Sequence, residues 1–459
     1  MVETLSNRLP EIEIDYNEPF KGDRLSRAQY AVTLANIVNA YSETGCVLSV
    51  NGEWGTGKTT FIKMWQAYLM QHKYRTIYFN AWETDYIEDP LISMLGEIKN
   101  IIGDDEKFKK VSSSIGRILL SIGKSFIKNK AGVDIDDITE DVKKQIEAYS
   151  QQKTTLNEFK KALVEYVAYV DEDEQLPMIF IIDELDRCNP TFAVKVLERI
   201  KHLFDIPNII FVLPISKKQF ECSIQGYYGS DKIDAKNYLR RFIDLEFELP
   251  EPDYESFYQL LYEHYRFNEF FKEKFDKGNH HVRDGIELFK SMVLKLCKHK
   301  KIELRTLDKM FVLCRLVATE INGSELAEMD LFFLLCYLKI YEYELYCDIK
   351  NHRLKLQDLI KRFETVFPRQ LLTADNTYSL DHHSFLYAIA SLLYAYNQLN
   401  SVVYEDGVLP TVKAPEVNLT CSIIDKTKLE EGLKYATTHI SRWASISDIT
   451  DKIDLLRIR

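Results

Sequence analysis

The chain has 459 residues, 46 % of them hydrophobic and 28 % charged, and a net charge of −11. That length carries two or three domains around a large core. The acidic balance argues against a general nucleic-acid coat and leaves open only a local basic groove. Eight cysteines are scattered without a C-x-x-C pair, so neither a zinc site nor a disulfide framework is indicated. Cys46, Cys314 and Cys336 sit in apolar runs and read as core residues of a reducing compartment. The opening MVETLSNRLPEIEID lacks a basic region followed by an apolar core, and no run of about 20 strongly apolar residues is found. A cytoplasmic location is expected. Ser384–Tyr404 comes nearest to a span, but it carries Asn397, Gln398 and Asn400 and reads as a buried helix.

Residues 1–25 read as irregular and polar. From Arg24 to Tyr41, Leu25, Tyr30, Leu34, Ile37 and Val38 share one helical face. Val47–Thr60, VLSVNGEWGTGKTT, then reads as a buried strand, a glycine loop and the start of a helix. Gly52, Gly57, Lys58 and Thr59 match G-x-x-x-x-G-K-[ST]. Glycines let such a loop turn its backbone N–H groups onto a phosphate, and the next helix adds its positive end. Gly52, Glu53, Trp54, Gly55, Thr56, Gly57, Lys58, Thr59 and Thr60 are therefore the candidate nucleotide-binding residues. Lys58 would reach the β- and γ-phosphates, and the Thr59 hydroxyl would hold Mg²⁺. Tyr74–Phe79 is the second strand, ending in Asn80-Ala81-Trp82-Glu83, and a helix resumes over 91–103.

Lys107–Lys130 carries Lys107, Lys109, Lys110, Arg117, Lys124, Lys128 and Lys130 without an acid. Its apolar residues fall on one face, so it reads as a basic amphipathic helix. Three readings stay open: contact with an anionic membrane surface, contact with an acidic partner or subunit, or docking on the protein's own core. The acidic Asp134–Asp141 that follows is a candidate internal partner.

Met178–Ile182 is a continuous apolar run, as expected of a central parallel strand, and it ends in Asp183-Glu184-Leu185-Asp186-Arg187. Asp183 is the candidate second Mg²⁺ ligand. Glu184 is the candidate general base for a water attacking the γ-phosphate. Arg187 reads as a contact to a neighbouring subunit's nucleotide or as a brace for Asp186. A helix over Thr191–Phe204 and a strand over Ile209–Leu213 follow. Ser216 is either a contact to the attacking water or a plain helix N-cap. Arg240 and Arg241 precede a strand-like FIDLEFELP. One of them is a candidate arginine finger, the other reading being a surface ion pair with Asp244 or Glu246.

Strands alternating with helices imply a parallel sheet with helices on both faces and a ligand at the carboxyl ends of the strands. After Pro250-Glu251-Pro252 the pattern turns to successive helices. The expected organisation is an α/β P-loop NTPase domain over 1–250, with a helical insertion about 91–172, followed by a mostly α-helical domain over 251–459. Arg305, at the start of a helix in that domain, is a candidate contact to the γ-phosphate. His280 and His281 read as solvated.

Four blocks together resemble the KAP family of P-loop NTPases. They are Gly52–Thr59, Phe79-Asn80-Ala81-Trp82-Glu83, Ile182–Cys188, and Phe211-Val212-Leu213 with the Gln219…Ser223-Ile224…Tyr228-Gly229 that follows. Asp23–Arg27 is similar to the family's entry segment. The resemblance spans roughly residues 20–320. It implies an additional-strand P-loop ATPase and a tie to phage exclusion. It also implies ATP rather than GTP, since no N-K-x-D segment is present. Relatives often carry transmembrane helices between the P-loop and the Asp-Glu strand, whereas the insert here is basic and amphipathic. Relatives often show Asp where this chain has Ser216. The expected activity is Mg²⁺-dependent ATP hydrolysis by an oligomeric switch or remodeller in antiviral defence, acting with a separate effector protein. The alternative is an ATP-bound scaffold that recruits an effector with little turnover. A small-molecule kinase is disfavoured, because an Asp-Glu pair would spend ATP on water.

Overall fold

A computed structural model of the chain describes residues 9–10, 12–87, 90, 93–94, 96–97, 160, 176–201, 206–276, 282–320, 329–373, 383–397, 420–439 and 446–455. The basic stretch Lys107–Lys130, the acidic Asp134–Asp141, His280 and His281 lie outside them, as does most of the expected insertion. The chain divides into two compact units, Ile12–Glu251 and Pro252–Arg459 with Met1–Glu11.

The first unit runs α1 (Ala28–Ala40), β1 (Cys46–Asn51), α2 (Lys58–Gln71), β2 (Arg75–Asn80), β3 (Met178–Asp183), α3 (Pro190–Lys201), β4 (Ile209–Ile215), α4 (Lys217–Tyr228), α5 (Ala235–Leu239) and β5 (Leu245–Glu248). The five strands form one sheet in the order β2-β3-β4-β1-β5, and every neighbouring pair is parallel. One strand, β4, therefore separates the glycine-loop strand β1 from the Asp183 strand β3.

Side chains alternate between the two faces of the sheet. Val47, Phe180, Ile182, Phe211 and Leu213 enter one core with Phe192, Val196, Leu197 and Ile200 of α3 and Phe220 of α4. Leu48, Val50, Ile179, Ile181, Ile210 and Val212 enter the other with Leu34 and Val38 of α1 and Phe61, Trp65 and Leu69 of α2. Burial on both faces is why these strands read as unbroken apolar runs rather than alternating ones.

Two boundaries differ from the sequence pattern. The first helix starts at Ala28 rather than Arg24, because the Asp23 carboxylate accepts the backbone N–H groups of Leu25 (2.9 Å), Arg27 (2.5 Å) and Ala28 (3.0 Å). Those bonds hold residues 23–27 as a capping turn. Strand β4 continues through Pro214 to Ile215, although proline lacks the ladder donor. Ile215 turns its carbonyl to the Gly52 N–H at 3.2 Å. Pro214 thus faces the opposite side, where pairing with β3 has already stopped at Val212, so no ladder bond is lost.

The second unit is helical in all its described elements: α6 (Tyr254–His264), α7 (Phe267–Asp276), α8 (Val282–Lys300), α9 (Leu304–Glu320), α10 (Met329–Tyr341), α11 (Tyr343–Lys350), α12 (Leu356–Val366), α13 (Arg369–Leu372), α14 (Ser384–Asn397), α15 (Lys426–His439) and α16 (Ile446–Leu455). Phe267, Phe289, Phe311 and Phe333 make an aromatic cluster with ring centroids 5.6–6.0 Å apart in contacting pairs. Helix α14 is buried from Ser384 to Tyr396, as the uncharged sequence suggested, and packs on α15. Among the described residues no helix is long and apolar enough to cross a membrane. Cys46, Cys314 and Cys336 are buried and unbridged.

Candidate nucleotide site

The site is assembled at the carboxyl ends of β1, β3 and β4. Strand β1 ends at Asn51 and α2 begins at Lys58, so Gly52–Gly57 forms the connecting loop. Gly57 caps α2 with φ 82°, a left-handed conformation that L side chains rarely adopt. A Cβ on Gly52 would lie 3.3 Å from the Lys58 stem and the Thr56 hydroxyl, so a side chain here would push one of them aside by a few tenths of an ångström. The Lys58 ammonium donates to the carbonyls of Gly52 (2.5 Å) and Glu53 (3.1 Å). Burial pulls the Lys58 ammonium below its ordinary range, offset in part by the charges of Asp186 and Asp183.

Arg27 braces the loop from below. Its guanidinium is 2 % exposed and donates to the Thr56 carbonyl (2.7 Å) and the Pro250 carbonyl (3.1 Å). Burial pushes it down to about 10 despite the nearby Asp23 carboxylate. No sequence motif singled out Arg27 as a site residue, because neither partner is close in the chain and both contacts are to carbonyls.

Asp183 ends β3 at 1 % exposure. Its carboxylate accepts from the Tyr78 hydroxyl (2.8 Å) and from the Glu184 backbone N–H (2.8 Å). Burial raises the Asp183 carboxyl above its usual range, and those two bonds oppose the rise. Burial and the adjacent Asp183 charge push the Tyr78 hydroxyl up in turn. Thr59, in the first turn of α2, and Asp183, at the end of β3, are the two expected Mg²⁺ ligands. A small hydroxyl with a buried carboxylate is a donor set suited to Mg²⁺, which favours oxygen ligands and keeps several waters.

Glu184 sits at φ 60°, ψ 21°, in the left-handed region that a glutamate seldom occupies. Its carboxylate forms an ion pair with Arg187. Arg187 therefore braces Glu184, not Asp186 as its sequence position suggested. Asp186 has other work. One of its oxygens accepts from the Trp54 indole N–H (2.8 Å) and from the Ser216 backbone N–H (2.6 Å), joining the glycine loop to the end of β4. Ser216 stands at the N-cap of α4, but its side chain makes no capping bond.

The Asn80-Ala81-Trp82-Glu83 block lies beside this corner. Asn80 is paired in register with Asp183, and the Ala81 N–H donates to the Asp183 carbonyl at 3.0 Å. The Asn80 side chain accepts from the Trp82 N–H (3.1 Å) and donates to Glu83 (2.8 Å), closing a tight turn. Trp82 is left 53 % exposed, with the Arg187 guanidinium 6.0 Å from its ring centre.

Arg240 and Arg241 are exposed just after α5. Arg240 donates to Asn237 at 3.2 Å. The expected ion pairs with Asp244 or Glu246 are absent among the described residues, since Asp244 accepts the Val47 N–H and Glu246 takes Lys217. Arg305 is exposed in the first turn of α9, in the second compact unit.

A glycine loop between β1 and α2, a buried acid at the end of β3 and one strand between them define a P-loop NTPase of the additional-strand class. Residues 27–332 match the model of the KAP family P-loop domain, and the chain belongs to that family. It is 22 % identical over 193 residues to the phage T7 exclusion protein of Escherichia coli (strain K12), a match covering 42 % of this chain and 21 % of that one. The chain thus spans about a fifth of that relative's length. Among solved structures, the Aeropyrum pernix ORC2 protein in its ADPNP–ADP complexes matches at 13 % identity and TM-score 0.29, covering 94 % of this chain and 93 % of that one. A DNA replication initiation factor matches at 12 % identity and TM-score 0.25, covering 82 % and 80 %. Scores this low leave the fold to be read from the sheet itself.

Proposed function

We propose that the chain binds ATP and Mg²⁺ and hydrolyses ATP, acting as an oligomeric switch or remodeller in bacterial defence against phage. The observation that carries the reading is the buried Asp183 at the end of β3, one strand away from the glycine loop that leads into Lys58 and Thr59. With Thr59 it would supply the oxygen ligands a Mg²⁺ needs near the loop that holds the phosphates. Gly52–Thr60 would cradle the phosphates, and Lys58 would trade its loop carbonyls for the β- and γ-phosphates. The next residue after Asp183 supplies the base. Glu184 takes the proton of a water whose oxygen bonds to the γ-phosphorus, the bond to the β-phosphate oxygen breaks, and ADP and phosphate leave. Mg²⁺ would neutralise charge on the phosphates. Arg240 or Arg241, exposed beyond α5, would act as a finger in a neighbouring copy's site. Arg305 would carry nucleotide state to the helical unit.

The defence role is supported by membership of the family and by the exclusion protein that the chain resembles. The chain would act with a separate effector protein. Contact of 107–130 with anionic lipid is tested by flotation with liposomes, and undiminished flotation after deletion of that stretch would reject it.

A second reading keeps ATP bound as a structural ligand with little turnover. The Glu184–Arg187 ion pair favours it, because it occupies the expected base. Bound-nucleotide content measured against turnover separates the two: a full site with no phosphate released supports the scaffold.

A further inference from the structure

We infer that Arg187 is a latch on the hydrolysis site. It holds the Glu184 carboxylate in an ion pair, turned from the water it would activate, in the resting protein, and Trp82 holds Arg187 in place. The inference rests on the reading of Glu184 as the base.

Three observations carry it. One oxygen of the Glu184 carboxylate is engaged by the Arg187 guanidinium, which holds the side chain in the orientation of that pair. The pair is only partly solvated, with side-chain exposures of 11 % for Glu184 and 25 % for Arg187, so water screens it less than it would a surface pair. Glu184 stands in a left-handed backbone conformation, φ 60° and ψ 21°, at the turn that carries this pair. Such a conformation persists only where surrounding bonds over-determine it. Those bonds are present: the Glu184 N–H donates to Asp183, and its carbonyl accepts the Arg187 N–H at 3.0 Å.

Trp82 supplies the other side of the latch. Its exposed ring is anchored by the Asn80 turn and lies near the guanidinium. A large apolar ring left half in water, beside a cation, has a role in holding that cation. The Asn-Ala-Trp block is thereby given a function distinct from the fold: it presents the ring that keeps Arg187 on Glu184.

The test is hydrolysis by the full chain under single-turnover conditions, with ATP affinity measured in parallel. Arg187→Ala is expected to raise the rate of bond cleavage about tenfold with ATP affinity changed less than about twofold. Arg187→Lys keeps a cation there and is expected to stay near wild type. Trp82→Ala is expected to raise the rate in the same direction but less, and Trp82→Phe, which keeps a ring, to restore restraint. The gain must run through the base, so Arg187→Ala combined with Glu184→Gln is expected to be as slow as Glu184→Gln alone. A structural role for Arg187 would move stability or affinity and would not be reversed this way. Trp82 is exposed, so its variants keep the test alive if Arg187→Ala misfolds. An Arg187→Ala rate at or below wild type, with Glu184→Gln inactive, would overturn the latch and leave the base intact. Wild-type turnover in Glu184→Gln would remove the base reading, and the latch with it.

Discussion

A guanidinium that is almost wholly buried must make its bonds count. Arg27 spans the Thr56 carbonyl of the phosphate loop and the Pro250 carbonyl near the end of the first unit. Two carbonyls would lose charge-assisted donors in Arg27→Ala, at a cost of about 1–3 kcal/mol. The expected result is a lower melting temperature and ATP affinity weakened about tenfold. Arg27→Lys is expected to rescue stability in part and affinity less, since an ammonium lacks the fork that reaches both carbonyls. Calorimetry and nucleotide titration check both. Asp186 is a second residue whose value lies in what it joins. Asp186→Ala leaves the Ser216 N–H and the Trp54 indole without their acceptor, so stability and ATP affinity should fall together. Trp54→Phe removes one bond only and should show a smaller loss in both.

At the scale of elements, α10 carries the clearest pH prediction. Asp330 lies in its first turn at 5 % exposure, and burial pushes its carboxyl up to about 7. The unfolded chain releases that proton near pH 4, the folded chain near pH 7. Between those values the folded state binds more protons, so stability falls as pH rises through the window. Asp330→Asn removes this titration. The melting temperature of the variant should therefore fall less than that of wild type between pH 5 and pH 8. A parallel fall in both proteins would show that Asp330 does not set the slope.

The elements were unevenly legible in the sequence. Strands β1, β3 and β4 are apolar runs because both faces of the sheet are covered, and such runs stand out in a sequence. The start of α1 was hidden because Leu25 fits the helical face, whereas Asp23 overrides it by capping the turn. Pro214 read as a stop because the edge of the β3–β4 pairing is invisible without the sheet. The glycine loop and Asp183 were legible since their spacing is local and chemical. Arg27 and the role of Arg187 were not, because their partners are fixed by how β1, β3 and the capping turn come together.

For the molecule as a whole, the sheet order fixes where function sits. With β4 between β1 and β3, the carboxyl ends of three adjacent strands bring Lys58, Thr59, Asp183, Asp186 and Ser216 to one corner. A ligand that binds only the folded form stabilises it, by about 2.7 kcal/mol at a concentration 100 times its dissociation constant. Mg²⁺ and ATP should therefore raise the melting temperature of the wild-type chain, and Lys58→Ala should abolish that rise. The most direct test of the central claim is phosphate release from Mg²⁺–ATP by the purified full chain, compared with Glu184→Gln at saturating nucleotide. Wild type is expected to release phosphate only with Mg²⁺, and the variant, still binding ATP, to lose at least about 100-fold in rate. Release at the wild-type rate by Glu184→Gln, or a wild-type site full of ATP that frees no phosphate, would contradict the claim.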